Sequence, residues 1–380
     1  MARYLLRRLF SGVVVLFLFV NAMFFAIQLV DPGDYVTQFY WVPKEEKDAL
    51  RAQLGLDLPI GQRWLKWLGD IARGDLGDSY TLSGRGQPVI DVLDRVVAPT
   101  ILVFGVGTAL AFLLGEWLGK SIAWRGPGVV SGGASLFSIL LYTSFPPWFG
   151  FLITYAALKL FDYRAGQFSR ALWRDAPLGP SAVMWQMIAR LVAIVLVLLL
   201  ANALLHRRWR RRIPTPLFLL LAAGAWVGSW ALAGWWPLAL DVAKQAALPL
   251  LVFTLLSFGE VMLVMRSTMA DTLHEEYVKA ARAKGLPPRT VRDRHAARTA
   301  LLPVLSRSVT SIPYLLTGMA MIEEAVAWPG IGTTLFDAFA AENMPVAIGA
   351  LLVIGVISLG TRLLLDVLTG LLDPRIRAHS

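Results

Sequence analysis

Eight stretches of roughly twenty residues with few charges decide the fold class of this chain before any motif is read. They cover 9–30, 100–118, 134–160, 185–205, 216–236, 248–265, 304–322 and 346–371. Runs of that length cross a bilayer as helices, so the expected fold is all-α: a polytopic transmembrane helical bundle of about eight spans. The 380 residues are 56% hydrophobic and only 16% charged, too apolar for a soluble protein of this length. The last two spans are the weakest, because Arg307 and Arg362 interrupt them. Arg307 lies near enough to one end of its span to snorkel into the headgroups.

The formal net charge of +10 suggests nucleic acid until its placement is examined. Arg3, Arg7, Arg8, Lys120, Arg125, the tract Arg207 to Arg212, the region from Lys279 to Arg298, Arg375 and Arg377 all fall, by counting spans, on one side. Residues 31–98 fall on the other side, and acidic groups outnumber basic ones there. This is the positive-inside bias, so both termini are expected in the cytoplasm and no nucleic-acid partner is implied. The arginine tract joins two apolar spans and reads as a topology determinant facing anionic lipid. The first apolar run is too long for a secretory signal and lacks an Ala-x-Ala cleavage site, so it is read as an uncleaved span in the cell membrane. With no cysteine, disulfides and thiolate chemistry are excluded.

Between two of the spans lies the charged stretch Glu276-Tyr-Val-Lys-Ala-Ala-Arg-Ala-Lys-Gly-Leu286. Tyr277 to Lys284 are all acceptable helix formers. Gly285 stands where a helix ends in a left-handed turn, and Pro287-Pro288 forbids continuation. A second basic helical run over 289–299 can follow. The expected element is therefore a short helix–turn–helix outside the bilayer. Ala280, Ala281 and Ala283 give it a face with little bulk, which a partner's backbone can approach. The plainer alternative is a basic turn resting on lipid headgroups.

The segment 31–98 carries Pro32-Gly33-Asp34, Leu54-Gly-Leu-Asp-Leu-Pro59 and Gly74-Asp-Leu-Gly-Asp-Ser79. Trp64 and Trp67 with Leu65 and Leu68 read as an amphipathic helix at the membrane interface. Gly115-Glu-Trp-Leu-Gly-Lys-Ser121 is one residue short of a phosphate-binding loop, but it closes a membrane span, where no strand–loop–helix can form. The four histidines show neither zinc spacing nor a Ser-His-Asp arrangement. No catalytic residue, metal site or cofactor of its own is expected, and the chain is not read as an enzyme.

Gly285 and Pro303 are eighteen positions apart, and this loop resembles the cytoplasmic coupling ("EAA") loop of ABC-importer permeases. Ala-Arg-Ala-Lys-Gly-Leu is similar to the oligopeptide/dipeptide/nickel branch, B-type subunit. The likeness continues through Thr100, Ser144-Phe-Pro-Pro-Trp-Phe149, Leu248-Pro249, Arg266-Ser-Thr-Met269, Glu323, Trp328-Pro-Gly-Ile-Gly332, Pro345 and Asp373-Pro-Arg-Ile-Arg377. It implies a type I importer permease that pairs with a second permease to form the pathway. Two ATPase subunits carrying ATP and magnesium would dock on Glu276, Tyr277, Lys279, Ala280, Ala281, Arg282, Ala283, Lys284, Gly285 and Leu286. An extracytoplasmic binding protein would deliver the substrate, short peptides first, with oligosaccharides or metal chelates as alternatives. Lys279, Val326, Asn343 and Arg362 depart from the family's usual residues and bear on substrate class.

On this reading residues 1–98 form an N-terminal span with an extracytoplasmic segment, and 99–375 the permease domain. The coupling loop occupies about 270–303. An additional helix pair at about 185–236 preserves the orientation of all that follows, and its Trp226, Trp230, Trp235 and Trp236 suit a lipid-facing belt. Glu260 and Glu323 are the candidate residues of the translocation path. The rival of another class is an ion-coupled secondary transporter using Glu116, Glu260 or an Arg362–Asp366 pair. A plain membrane scaffold would explain the spans but not the loop.

Overall fold

The computed structural model describes residues 2–30, 43–54, 57–79, 86–209 and 213–372. Helix α1 (Ala2–Val30) is followed by α2 (Lys44–Leu54), α3 (Ile60–Ala72) and a two-stranded hairpin, β1 (Asp78–Ser79) with β2 (Gln87–Pro88). Then come α4 (Val89–Arg125), α5 (Val129–Thr143), α6 (Pro146–Phe161), the short α7 (Arg170–Trp173), α8 (Pro180–Trp209) and α9 (Thr215–Leu232). The chain continues with α10 (Trp236–Thr272), α11 (Glu276–Ala283), α12 (Pro288–Thr290) and a π-helical turn, Val291–Ala296. It closes with α13 (Ala297–Val326), α14 (Ile331–Ala340) and α15 (Met344–Leu372). Pro32-Gly33-Asp34, Arg210 to Arg212 and Asp373-Pro-Arg-Ile-Arg377 lie outside the described residues, as do the side chains of Arg3, Arg7, Arg8 and Asp366.

The all-α expectation is met, because in hydrocarbon only a helix satisfies its own backbone polar groups segment by segment. Among the described residues, α1, α4, α8, α10 and α15 are long and apolar enough to cross a membrane. The expected third span is instead a pair, α5 and α6, bent by 106°. The break falls where Ser144 turns extended and Pro146-Pro147 opens the next helix. Proline removes an N–H and drives the residue before it out of helical geometry, which explains the corner. Helix α9 is 18 residues long and ends at Leu232, short of the expected boundary at 236. The expected run 216–236 therefore splits. Gly234 makes a left-handed turn, and Trp236 opens α10, which begins twelve residues ahead of the span expected from 248. Helix α13 is long enough but too polar over most of its length to meet the same measure.

The core is the long seam between α4 and α10. Gly107, Ala111, Gly115 and Gly119 recur every fourth residue and place one smooth stripe of α4 against α10. A methyl group added at Gly107 would sit 2.5 Å from the Phe253 ring, and at Gly115 2.7 Å from Val261. At Gly119 it would sit 2.7 Å from the Met262 carbonyl oxygen. Where lipid removes most of the hydrophobic drive between helices, such close approach supplies the packing energy. The near-miss phosphate motif at Gly115 is thus part of a helix seam.

The added pair also differs from expectation. Trp230 is fully buried, with the Arg190 guanidinium stacked 4.0 Å from its ring centre, and Trp226 packs edge-on against it. Arg190 on α8 donates to the Ser229 carbonyl oxygen at 3.0 Å. An arginine within an apolar helix needs such partners, and the tryptophans supply one side of its cage. Trp235 and Trp236 are partly buried against the same core, so this is not a lipid-facing belt. The lipid-like surface is aliphatic instead: Val192, Leu196, Leu200 and Leu220 are exposed.

Candidate functional site

Helix α11 ends as the residues require. Gly285 has φ +72°, its N–H donates to the Arg282 carbonyl oxygen at 2.9 Å, and the Leu286 N–H reaches back to Ala281 at 3.4 Å. That pair of bonds is the Schellman closure, which favours glycine because a side chain is strained in the left-handed region. Pro287 and Pro288 then start a new turn. The second helical run does not stand apart. It passes through the π-helical turn directly into α13, with Pro303 inside that helix. Helix α12, the π-helical turn and α13 thus form one continuous helical run that begins just after the Gly285 turn.

The loop is built around its own small core. Val278 and Ala281 of α11 pack with Val291, Ala296, Met265, Met269 and Val304. Glu276, Tyr277, Lys279, Ala280, Arg282, Ala283 and Lys284 point away from that core and are exposed, as is Gly285, while Leu286 is half-buried. Ala281 thus belongs to the foundation of the loop, and only Ala280 and Ala283 form the smooth patch on its surface. Two further ties join the loop to α4. The Arg282 guanidinium lies 5.1 Å from the Trp124 ring centre, and Lys120 pairs with Glu116 at 2.7 Å and approaches Asp293 at 3.9 Å. The hydrogen bonds from Arg292 hold the Asp293 carboxyl below its usual range, against the opposing effect of burial, with Lys120 and Arg289 adding to the pull.

Glu260 and Glu323 are not brought together. Glu260 on α10 accepts from Arg307 Nε at 2.6 Å and from the Ser311 hydroxyl at 2.8 Å, both on α13. Arg307 thus turns to a carboxylate on the neighbouring helix rather than snorkelling. Glu323, near the far end of α13, is fully buried. The Thr100 hydroxyl donates to one of its oxygens and the Gly332 N–H to the other, each at 2.6 Å. The Ile331 N–H donates to Thr100 in turn at 2.8 Å. The Trp328-Pro-Gly-Ile-Gly332 turn folds over this carboxylate. A side chain at Gly330 would collide with the carboxylate of Glu323, and one at Gly332 with the backbone of Ala320. At the same end Asn343 donates to the buried Ser79 hydroxyl at 2.9 Å, fastening the hairpin to the start of α15. Sequence reasoning missed the Thr100–Glu323 bond and the Lys120–Asp293 approach, because each joins residues far apart in sequence. The glycine seam was readable from its four-residue spacing.

A family model described as "Binding-protein-dependent transport system inner membrane component" matches residues 111–378, and its N-terminal companion matches 1–84. The chain belongs to this permease family. The permease is 30% identical over 381 residues to a permease protein of Brucella suis biovar 1 whose name carries a provisional peptide assignment, covering 99% of both chains. It is 26% identical to the dipeptide transport system permease protein DppB of Lactococcus lactis and to the oligopeptide transport system permease protein OppB of Escherichia coli K12. Both alignments span 377 residues, 99% of this permease and all of each relative.

Membership fixes the coarse account. The permease is a multi-pass inner-membrane component of an ATP-driven importer, and in such systems ATP is hydrolysed by separate subunits. The reading as an ion-coupled secondary transporter gives way to it. Glu116, one of the residues that reading relied on, is occupied by Lys120.

Proposed function

We propose that this permease imports short peptides, forming one wall of a pathway whose other wall is a second, different permease chain. Two ATPase subunits dock on α11 and the residues around it, and an extracytoplasmic binding protein delivers the cargo at the hairpin end. Both termini and the α11 loop face the cytoplasm. Residues 1–98 supply the first span and the extracytoplasmic segment, and 99–375 the permease domain with its added helix pair. The observation that carries this reading is the construction of the loop. Helix α11 presents an exposed face of Glu276, Tyr277, Lys279, Ala280, Arg282, Ala283 and Lys284, is packed through Val278 and Ala281 onto α10 and α13, and after the Gly285 turn the chain runs through α12 and a π-helical turn directly into α13. ATP-driven closure of the ATPases then moves α11, and the movement reaches α10, α13 and α4 through shared packing.

Peptides are favoured as cargo because the relatives that match from end to end include the dipeptide and oligopeptide permeases named above. Glu260 sits where α10 and α13 meet and is read as part of the pathway wall. Glu323, enclosed on all sides, is read as the residue that holds the Trp328–Gly332 turn in place. Ala280→Trp tests the docking claim, since it adds bulk to an exposed position without touching the core of the loop. The variant should insert normally, lose most of its co-purifying ATPase and lose uptake. Full ATPase retention with normal uptake would show that this face touches nothing.

A further inference from the structure

Among the described residues, helix α13 exposes an unusually polar face. Ser306, Arg307, Thr310, Tyr314 and Thr317 are all exposed, at spacings of one, three, four and three, so they form one stripe along the helix. The large exposed side chains between Val192 and Leu204 on α8 and between Leu217 and Leu232 on α9 are leucines and valines, as a lipid-facing surface requires. A polar stripe bearing an ionised group is poorly suited to hydrocarbon, and such residues mark water-filled or protein-lined routes. Beside it, Tyr142, Ser144, Ser257, Glu260 and Tyr314 contribute to a cavity of about 30 Å³, with room for a water and polar atoms to hold it.

Arg307 is held in a defined pose on this stripe. Its Nε donates to Glu260, which also accepts from the Ser311 hydroxyl. Glu260 is mostly covered, with its side chain 11% exposed, while that of Arg307 is 54% exposed. The Tyr142 hydroxyl flanks the guanidinium. A guanidinium offers five N–H donors in a flat fork. With Nε committed to Glu260 and the Tyr142 hydroxyl alongside, the half-exposed guanidinium still has N–H donors to offer a carboxylate. The pairing with Glu260 also moderates the site. An unpartnered arginine in a low-dielectric pathway would trap an anion, whereas transport needs a contact that forms and releases.

We propose that Arg307, oriented by Glu260, reads the cargo's carboxylate as it passes, so that this permease prefers peptides with a free C-terminal carboxylate over their amides. The proposal rests on the reading of the chain as a peptide-importer permease. Glu260 acts through Arg307 and is a positioning residue. The route is the surface between α13 and the second permease chain.

The test uses the whole complex in proteoliposomes, with the binding protein loaded to saturation with either trialanine or trialanine amide, so that delivery is equal for both. Wild type should import trialanine faster than the amide. R307M should lower trialanine uptake about tenfold, leave amide uptake within about twofold, and keep the ATP hydrolysis that the loaded binding protein stimulates. R307K, a point charge without the fork, should fall between the two. The double variant E260Q/R307M removes the carboxylate left without its partner and should show the same loss of preference, which guards against a folding defect. E260Q alone should lower both the maximal rate and the half-saturating concentration, because Arg307 then releases its ligand more slowly. An unchanged ratio of trialanine to amide uptake in R307M and in the double variant would overturn the proposal. Absence of ATP-dependent uptake of either probe by wild type would overturn the peptide-importer reading, and this proposal with it.

Discussion

A carboxylate with no exposed surface must find its hydrogen bonds inside the protein, and Glu323 finds them on two sides, from Thr100 on α4 and from the backbone of Gly332. Leaving the buried Thr100 hydroxyl and Gly332 N–H without their partner costs about 1–3 kcal/mol each. Glu323→Ala should therefore cost at least that much, read as a fall in the thermal midpoint of the detergent-solubilised permease. Glu323→Gln, which keeps the shape and one acceptor, should cost about 1 kcal/mol. A Glu323→Ala protein of unaltered stability that has lost uptake would instead place Glu323 on the pathway. Lys120 lends itself to an equally direct check. It belongs to a helix end and pairs with Glu116 one turn earlier. Lys120→Ala should leave the ATPase activity of the full complex within about threefold, measured as phosphate release. Complete loss of hydrolysis in a normally assembled complex would mean that the chain touches nucleotide after all.

At the scale of helices, the seam between α4 and α10 carries the bundle. Replacing Gly119 by Leu drives a branched side chain into the Met262 carbonyl and the Met265 side chain, neither of which can retreat without parting the helices. The expected result is loss of folded protein in the membrane, measured as the monodisperse fraction after extraction, while Gly133→Leu, where nothing lies within 4 Å, should be tolerated. The same seam shows what the sequence made legible. Span existence, the closure of α11 at Gly285 and the corner after Ser144 follow from local chemistry: apolar length, a glycine that takes a left-handed turn, and paired prolines. The corner itself was overlooked because an apolar count is blind to a proline pair in its middle. The burial of Trp230 was hidden for another reason. It depends on Arg190 reaching across from α8, and tertiary pairing of that kind leaves no periodic trace. The polar stripe of α13 was visible only as an interruption of a weak span, and its meaning comes from Glu260 on a different helix.

At the scale of the whole molecule, the account sets the hairpin end and the α11 end on opposite sides of the membrane. The absence of native cysteine makes this testable with single substitutions. Ser79 is unsuitable as a reporter because it is buried beneath Asn343, whereas Arg73 and Lys279 have open side chains. In intact cells with a permeable outer membrane, Arg73→Cys should react with an impermeant maleimide, and Lys279→Cys should react only after the inner membrane is broken. The reverse pattern would invert the topology. The central claim is that α11 converts the work of the ATPases into movement of the bundle, and Gly285 isolates it. An added Cβ at Gly285 meets nothing within 4 Å, so a substitution there acts through the backbone alone. Asparagine visits the left-handed region readily, while a residue with a bulkier side chain pays roughly 1–2 kcal/mol and a β-branched one more. The decisive measurement is uptake and ATP hydrolysis followed together in proteoliposomes carrying the complete complex. The account predicts near-normal coupling for Gly285→Asn, and for Gly285→Val normal insertion with little uptake and hydrolysis that is either lost or no longer tied to transport. Wild-type uptake per ATP in Gly285→Val would contradict it.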